Sequence, residues 1–203
     1  MRAKLMAWLL LGFVRLLTGA QARWHGCPPK AEQRIYFANH QSHIDLVLMW
    51  AAMPRELRHN TRAIAAKDYW TKSKFKQWIT TAVFNVVYVE RSRTGEEDPL
   101  APLVDALESG DSVIIFPEGT RGFETEPAVF KAGLYNLAEK FPNVRLIPAW
   151  INNVQRVMPK GEVIPVPILC SVTFGEPIAL KAGEDRKTFL SRARDAVIAL
   201  RDV

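Results

Sequence analysis

The length, composition and charge of the chain indicate a folded, basic protein. Its 203 residues are 48% hydrophobic and 24% charged, which excludes an intrinsically disordered chain, and this length can bury a substantial core as a single domain. Lys and Arg number 27 against 21 Asp and Glu, for a formal net charge of +6, so the charge favours an anionic partner, either nucleic acid or anionic lipid. The two cysteines, Cys27 and Cys170, lie far apart without metal-ligand spacing, which excludes a disulfide framework and a zinc pattern and suits a reducing compartment.

The first 22 residues are predicted to form an amphipathic helix at a membrane interface. The apolar part, residues 5 to 20, would be about 24 Å long as a helix, which is shorter than the roughly 30 Å hydrocarbon core of a bilayer. Because it also contains Arg15, it is too short and too interrupted to span a membrane. At about 100° per residue, Lys4 and Arg15 lie on one edge and the large apolar residues lie on the other side. This pattern is typical of a helix that lies in the interface with its basic edge toward the headgroups.

Two other interpretations of this segment stay open. A basic start, an apolar stretch and the sequence Ala20-Gln21-Ala22 are also features of a secretory signal peptide, although Arg15 inside the apolar stretch argues against one. Amphipathicity alone does not identify the partner of a helix, so the segment could also pack on the domain as a core helix. The domain itself is predicted to run from residue 23 to residue 203.

Strands and helices alternate along that domain. Apolar runs bounded by turn residues predict strands at residues 34–38, 62–66, 86–89, 113–116, 144–149 and 168–174. Apolar residues at helical spacing predict helices at residues 44–52, 70–78, 129–140 and 186–202, and another between its cap, Asp98, and Gly110. Alternation of this kind predicts an α/β fold, in which helices flank a layered, largely parallel sheet.

Two polar motifs follow predicted strands, and we expect them to meet. Residues 39 to 45, Asn-His-Gln-Ser-His-Ile-Asp, come directly after the first strand of the domain. Residues 116 to 121, Phe-Pro-Glu-Gly-Thr-Arg, come at the end of a later strand. In an open parallel sheet, ligands bind outside the carboxyl ends of the strands. The polar side chains of both motifs are therefore predicted to line one crevice, together with Arg91, which follows another strand.

In the first motif, His40 and Asp45 are candidates for acid–base chemistry. They are five residues apart, about 140° out of phase around a regular helix, so they cannot share one face of a helix. If His40 lies in the loop and Asp45 in the first helical turn, the carboxylate can reach back and orient the imidazole toward a substrate hydroxyl. A plainer interpretation is that Asp45 is only the acidic half of a capping box that begins at Ser42.

The second motif offers three ways of holding a ligand. Gly119 lets the backbone approach a ligand closely, Thr120 adds a hydroxyl, and Arg121 carries a planar guanidinium that suits a phosphate. The plainer interpretation is an ordinary turn after a strand, with a solvated arginine.

Taken together, the two motifs resemble those of the glycerolipid acyltransferase family, which includes the 1-acylglycerol-3-phosphate (lysophosphatidate) acyltransferases. The signature of that family is an Asn-His pair with a His-x4-Asp spacing, here at residues 39 to 45. It is followed further along by Phe-Pro-Glu-Gly-Thr-Arg, here at residues 116 to 121. Two weaker family blocks match residues 86 to 91 and 146 to 149, and the resemblance covers about residues 24 to 180.

This resemblance implies an O-acyltransferase reaction. A fatty acyl group would pass from an acyl thioester, acyl-CoA or acyl-ACP (acyl carrier protein), to the free hydroxyl of 1-acylglycerol-3-phosphate, giving phosphatidate. A hydroxyl needs its proton removed as it attacks, so His40 is the expected general base and Asp45 the residue that orients it. The backbone amides of the turn at Glu118 and Gly119 are candidates for stabilising the oxyanion. No metal is expected, and no cofactor beyond the acyl thioester as co-substrate.

The same resemblance assigns substrate-binding roles to the remaining site residues. Arg91 and Arg121 would hold the phosphate, and Glu118 would hold glycerol hydroxyls or align an arginine, with Gly119 and Thr120 beside it.

Two lysines are further candidates for phosphate binding. Lys67 follows a predicted strand and Lys131 begins a predicted helix, so both could reach the crevice. A solvated lysine is the plainer interpretation of each.

The expected partners are a lysophospholipid, the acyl thioester and a membrane interface, with acyl carrier protein as one form of the donor. This predicts a peripheral or monotopic membrane protein on the cytoplasmic face. Another acceptor, such as glycerol 3-phosphate, a different lysophospholipid or a lyso-aminolipid, would fit the same chemistry. A non-catalytic protein that binds anionic lipid is the remaining alternative, while the chain has no recognisable nucleic-acid-binding module.

Overall fold

A computed structural model describes residues 2–42, 44–66, 73–82, 84, 86–89, 98–122, 124, 126–153 and 168–203. Two of the predicted site residues, Lys67 and Arg91, lie outside these ranges. So does the start of the helix predicted at residues 70–78.

Within the described residues, the strands form one seven-stranded sheet with the order β1-β7-β6-β2-β5-β3-β4. In chain order they are β1 Gln21–Trp24, β2 Arg34–Ala38, β3 Thr61–Ala66, β4 Val87–Val89, β5 Ser112–Ile115, β6 Arg145–Asn152 and β7 Ser171–Phe174. From β6 through β2, β5 and β3 to β4, neighbouring strands pair in parallel. β7 runs antiparallel to β6, and β1 pairs in parallel with β7. The predicted α/β fold with a largely parallel sheet is confirmed.

Helices cover both faces of this sheet. In the described ranges they are α1 Arg2–Thr18, α2 Asp45–Ala52, α3 Arg55–His59, α4 Lys74–Ala82, α5 Ala101–Glu108, α6 Gly133–Lys140 and α7 Arg186–Ile198. One hydrophobic cluster joins the sheet to α1, α2 and α3, and a second joins its other face to α5, α6 and α7. The sheet is therefore the middle of three layers.

Strand β2 shows why the apolar runs of this sequence become central strands. Successive side chains of a strand point to opposite faces of its sheet. Ile35 and Phe37 accordingly belong to the cluster on one face, and Tyr36 and Ala38 to the cluster on the other. A strand buried on both faces needs a continuous apolar run, which is the pattern that the sequence shows here and at β5.

The main difference from the predicted elements lies at the edge of the sheet. Residues Gln21–Trp24 form β1, which was not predicted, and the predicted boundary between residues 22 and 23 falls within this strand. β1 pairs on only one side, with β7, and its side chains alternate between exposed and half-buried, so it needs no apolar run. Helix α3 was also missed, because it is only five residues long and directly follows Pro54.

Helix α1 is apolar on two sides, and only one of them packs on the domain. Its inner side packs against the cluster beneath it through Met6, Ala7, Leu10, Leu11 and Val14. Its outer side exposes 49% to 85% of each of five large apolar residues: Leu5, Trp8, Leu9, Phe13 and Leu16. Arg15 donates from Nη2 to the carbonyl oxygen of Ala51, at 3.2 Å, and so ties α1 to the last turn of α2. None of the described helices is long and apolar enough to cross a membrane.

Candidate active site

The two polar motifs meet at one edge of the sheet because their strands are neighbours. β2 pairs in parallel with β5, with Phe37 opposite Ile115 near the carboxyl ends. The chain leaving β2 reaches His40, and the chain leaving β5 reaches Glu118, so both residues arise at the same end of adjacent strands. This is the edge where open parallel sheets bind ligands.

A hydrogen bond joins the side chains of His40 and Asp45. The imidazole Nδ1 lies 2.8 Å from Asp45 Oδ2, and Asp45 is fully buried as the first residue of α2. The same carboxylate oxygen accepts the backbone N–H groups of Gln41, at 2.6 Å, and Ser42, at 2.8 Å. Asp45 therefore fixes both the histidine ring and the loop that carries it.

The predicted capping box forms in one direction only. Asp45 accepts the N–H of Ser42, as the acidic member of such a box does. The hydroxyl of Ser42 makes only a long contact of 3.5 Å, with the N–H of Ile44, and does not bond the amide of Asp45. The two interpretations of Asp45 are thus not exclusive, because one oxygen caps the helix and orients the histidine together.

The ring of His40 is held on one side and reachable on the other. It stacks on Phe116, with the ring centroids 4.4 Å apart and 20° between the planes. Its side chain is 18% exposed, and Nε2 makes no hydrogen bond to any residue that the structure describes. A bond from Nδ1–H to a carboxylate leaves Nε2 as the proton acceptor. This arrangement suits a general base.

The carboxylate of Glu118 binds the backbone of His40. Glu118 is only 3% exposed, and its Oε1 accepts the N–H of His40 at 2.7 Å. Its Oε2 accepts the N–H of Ala128, also at 2.7 Å, so the carboxylate joins the His40 loop to the loop before α6. The carbonyl of His40 in turn accepts the N–H of Gly122 at 2.8 Å. Both backbone groups of His40 are therefore bound, one by Glu118 of the second motif and the other by Gly122, directly after that motif.

The environment of Glu118 has opposing effects on its charge. Burial raises the pKa of Glu118 above its ordinary value, because a buried carboxylate loses hydration. The hydrogen bonds from the amides of Ala128 and His40 oppose that rise, because they stabilise the ionised form.

Asn39 is a residue of the first motif to which sequence reasoning assigned no role. Its side chain is fully buried, and Nδ2 donates to the carbonyl oxygen of Ile151 at 3.1 Å. Its Oδ1 accepts the N–H of the same residue at 2.8 Å. Asn39 thus continues the pairing of β2 with β6 through its side chain, and the backbone is free to turn toward His40. Its position between a buried strand and a histidine was the available signal.

The rest of the second motif is exposed beside the histidine. Gly119, Thr120 and Arg121 all lie at the surface, as does Lys131. A Cβ at Gly119 would be 2.6 Å from Nζ of Lys131, so the ammonium lies close against this backbone, and Gly119 also has a φ of +70°. Neither Arg121 nor Lys131 forms an ion pair with any residue in the described ranges. With respect to the part of the chain that the structure describes, these two cations are therefore free to contact an anionic ligand.

One predicted donor is already engaged. The N–H of Gly119 donates to the carbonyl oxygen of Phe116 at 2.9 Å, which closes the turn after β5. The amide of Gly119 is therefore not free to stabilise an oxyanion in this conformation.

The other chemically active side chains lie away from this arrangement or are inert. Cys27 and Cys170 are each 2% exposed, and burial raises the pKa of the Cys170 thiol to about 11, so it stays protonated at neutral pH. His25 follows β1 and His59 ends α3, away from both motifs. Within the described ranges, no three His, Cys, Asp or Glu side chains are grouped so that they could hold a metal ion.

Known acyltransferases are similar to this chain in sequence and in fold. The Acyltransferase family model matches residues 25–152, which include both motifs. A 1-acyl-sn-glycerol-3-phosphate acyltransferase from Chlamydomonas reinhardtii is 28% identical over 138 residues. A lyso-ornithine lipid O-acyltransferase from Brucella abortus (strain 2308) is 25% identical over 209 residues. The crystal structure of the 1-acyl-sn-glycerophosphate (LPA) acyltransferase PlsC from Thermotoga maritima matches with a TM-score of 0.72 and 21% identity, which shows a shared fold.

The matches cover different shares of the proteins compared. The Chlamydomonas alignment covers 66% of this chain and 39% of the relative, so the chain spans well under half of that protein's length. The Brucella alignment covers 86% of this chain and 72% of the relative. The Thermotoga structure covers 98% of this chain, which covers 79% of it in return.

Proposed function

The chain belongs to the acyltransferase family, and on this premise we propose that it transfers a fatty acyl group from acyl-CoA or acyl-ACP to the free hydroxyl of 1-acylglycerol-3-phosphate, giving phosphatidate. The observation that carries the proposal is the pair of His40 and Asp45, joined at 2.8 Å with Nε2 unbonded to any described residue, beside the exposed guanidinium of Arg121. A base that is oriented and reachable, next to a cation, suits an acceptor that carries both a hydroxyl and a phosphate.

In the proposed reaction, His40 moves one proton and forms no covalent bond to the acyl group. Nε2 takes the proton of the acceptor hydroxyl as its oxygen attacks the thioester carbonyl. The buried carboxylate of Asp45 stabilises the imidazolium that results. When the tetrahedral intermediate collapses, the carbon–sulfur bond breaks and the imidazolium returns the proton to the thiolate. The ester and the free thiol leave, and His40 is neutral again.

Arg121 and Lys131 are proposed to hold the phosphate of the acceptor. Both are exposed beside the His40 loop, and an arginine can bind a phosphate through two parallel hydrogen bonds. Arg91 is proposed as an additional phosphate ligand on the family resemblance, and Lys67 because it follows a predicted strand at the same crevice. We assign Glu118 to positioning His40, because both of its oxygens already accept backbone amides and its side chain is buried.

Transfer from a long-chain acyl thioester by detergent-purified protein is the test of the acceptor. Lysophosphatidate, glycerol 3-phosphate and a lyso-ornithine lipid are compared at equal concentrations. We expect ester formation with lysophosphatidate to be fastest. The lyso-ornithine lipid is the rival acceptor, because the alignment with the Brucella lyso-ornithine lipid O-acyltransferase covers 86% of this chain. Product from the lyso-ornithine lipid alone would contradict our acceptor and leave the chemistry in place.

We further propose that α1 seats the protein in a membrane interface on the cytoplasmic face, as a peripheral or monotopic protein. The exposed outer side of α1 supports this, because five large apolar side chains there would leave water on insertion. Both proposed lipid substrates also reside in or at a membrane.

Vesicle flotation tests this seating. Replacing Trp8 and Leu16 by Gln, which removes apolar area from the outer side only, is expected to reduce binding to phospholipid vesicles. Val203→Gln is the control, because Val203 is also exposed but lies at the other end of the chain. Equal flotation of the α1 variant and the control would contradict the proposal.

A further inference from the structure

Arg194, on the C-terminal helix α7, contacts the loop that supports the active site. Its Nε donates to the carbonyl oxygen of Pro127 at 2.8 Å, and its Nη2 lies 3.0 Å from Oε2 of Glu126. These are contacts across more than 65 positions of sequence, from outside the part of the chain, residues 25–152, that the family model matches. The family match therefore assigns Arg194 no role.

A short series of bonds leads from Arg194 to His40. Pro127 precedes Ala128, whose N–H donates to Oε2 of Glu118 at 2.7 Å. Oε1 of the same carboxylate accepts the N–H of His40 at 2.7 Å. Each step is one hydrogen bond or one peptide unit.

Helix α7, which carries Arg194, is packed firmly in the core. On α7, the neighbouring residue Ala193 and the residue one turn later, Val197, are both fully buried in the core. Helix α7 packs there against the sheet and α6, so the guanidinium of Arg194 projects from a fixed helix. The loop at residues 126–128 has no regular structure of its own.

We propose that Arg194 is a positioning residue of the active site, which holds the loop at residues 126–128 so that Glu118 can hold the backbone of His40. The inference rests on the proposed function, in which His40 is the base. If the loop moves, the N–H of Ala128 leaves Glu118, and a buried carboxylate oxygen loses its donor. The carboxylate then shifts toward other donors and carries the His40 backbone with it. A displacement of about 1 Å at a reacting group can cost as much as a hundredfold in rate.

Arg192 provides a matched control on the same helix. Its Nε donates to Oε1 of Glu184 at 2.8 Å, and its Nη2 donates to Oε2 of Glu184 and to the carbonyl oxygen of Ala179. Arg192 and Arg194 thus each bind one carboxylate and one backbone carbonyl. The partners of Arg192 lie in the segment before α7, away from both motifs, so only Arg194 leads to the site.

The first experiment compares the kinetics of Arg194→Ala and Arg192→Ala in the full-length protein. For Arg194→Ala we expect kcat to fall about tenfold with little change in KM for either substrate, since the variant misplaces the base without touching a ligand. For Arg192→Ala we expect an unchanged kcat. Thermal unfolding of both variants, with assays well below the lower midpoint, separates the effect from a general loss of folding. Added guanidinium ion should restore part of the lost kcat in Arg194→Ala.

A double-mutant cycle tests the route through Glu118. If Arg194 acts through that carboxylate, Arg194→Ala should cost much less kcat in a Glu118→Gln background than in the wild-type background. Equal losses in both backgrounds would overturn the route. Equal kcat for Arg194→Ala and Arg192→Ala, in a protein whose transfer requires His40, would overturn the inference as a whole.

A second readout does not depend on the reaction. Histidine-selective isotope labelling lets the ring resonances of His40 be followed by NMR, with His40→Ala identifying them. Because this ring stacks on Phe116 at 4.4 Å, its resonances respond to small displacements through the ring current. We expect them to shift in Arg194→Ala and to stay in place in Arg192→Ala. Unmoved resonances in Arg194→Ala would overturn the inference even if the wild type proved inactive as an acyltransferase.

Discussion

The buried carboxylates of the site and its exposed cations differ in how far the protein itself uses them. Asp45 and Glu118 are at most 3% exposed, and together they accept four backbone amides and the imidazole of His40. Arg121 and Lys131 lie at the surface, without an ion pair to any residue in the described ranges. Both acids bind groups of the protein, whereas no described residue neutralises either cation. The difference suggests that one group positions the base and the other binds the substrate.

Asp45→Asn should have the largest effect on turnover among the substitutions that test this division. The amide keeps the volume and one accepting oxygen, but it loses the negative charge that stabilises the imidazolium of His40. We expect kcat to fall by about a hundredfold or more, which is the usual share of a general base, with a small change in KM.

Asp98→Asn is the control for that measurement, because Asp98 also accepts a backbone amide, from Leu100 at 2.9 Å, but binds none of the described histidines. A kcat for Asp45→Asn within a fewfold of the control would mean that Asp45 only caps the helix.

Arg121→Gln should change binding and not turnover. Loss of a charge-assisted hydrogen bond costs about 1.5–3 kcal/mol, so we expect KM for a phosphate-bearing acceptor to rise by roughly tenfold to a hundredfold, with kcat nearly unchanged. Arg145→Gln is the control. It removes an exposed arginine at the start of β6, and so at the opposite end of the strands from the site. A fall in kcat with an unchanged KM would contradict the division between the two groups.

Glu118→Gln should lower kcat and leave KM for the acceptor unchanged, with a smaller effect than that of Asp45→Asn. A glutamine side chain can accept only one of the two amides through its oxygen, and its NH2 group faces the other N–H. We expect kcat to fall about tenfold through displacement of His40, with KM for the acceptor unchanged. A large rise in KM for the acceptor would instead place Glu118 among the substrate ligands.

The smallest predicted effect is on the pH dependence of stability. Burial raises the pKa of Glu118, so in the pH range between its unfolded and folded pKa values the folded state binds this proton more tightly than the unfolded chain does. Its contribution to the free energy of unfolding is fully present below the unfolded pKa, about 4.3, and is lost as the pH rises through the folded pKa. In urea unfolding, the free energy of unfolding of the wild type should therefore fall relative to that of Glu118→Gln as the pH rises from about 4 to 7. A difference that grows in favour of the wild type would contradict this sign.

The central strands could be predicted from sequence because burial on both faces demands an apolar run, as in β2 and β5. β1 could not, because an edge strand that is half exposed leaves no such run in Gln21–Trp24. The approach of Asp45 to His40 followed from their spacing and the start of α2. The amide partners of Glu118 could not be predicted, because one of them, Ala128, lies in an irregular loop that is bonded to Arg194, far along the chain.

Acyl transfer by His40→Ala tests the central claim most directly, since that ring is the proposed base and the roles of Asp45, Glu118 and Arg194 depend on it. The measurement is the single-turnover rate of transfer from a long-chain acyl thioester to lysophosphatidate, with His59→Ala as the control because His59 is exposed at the end of α3. We predict a loss of about a hundredfold or more in His40→Ala and a normal rate in His59→Ala. A normal rate in His40→Ala, in protein shown to be folded, would contradict the account.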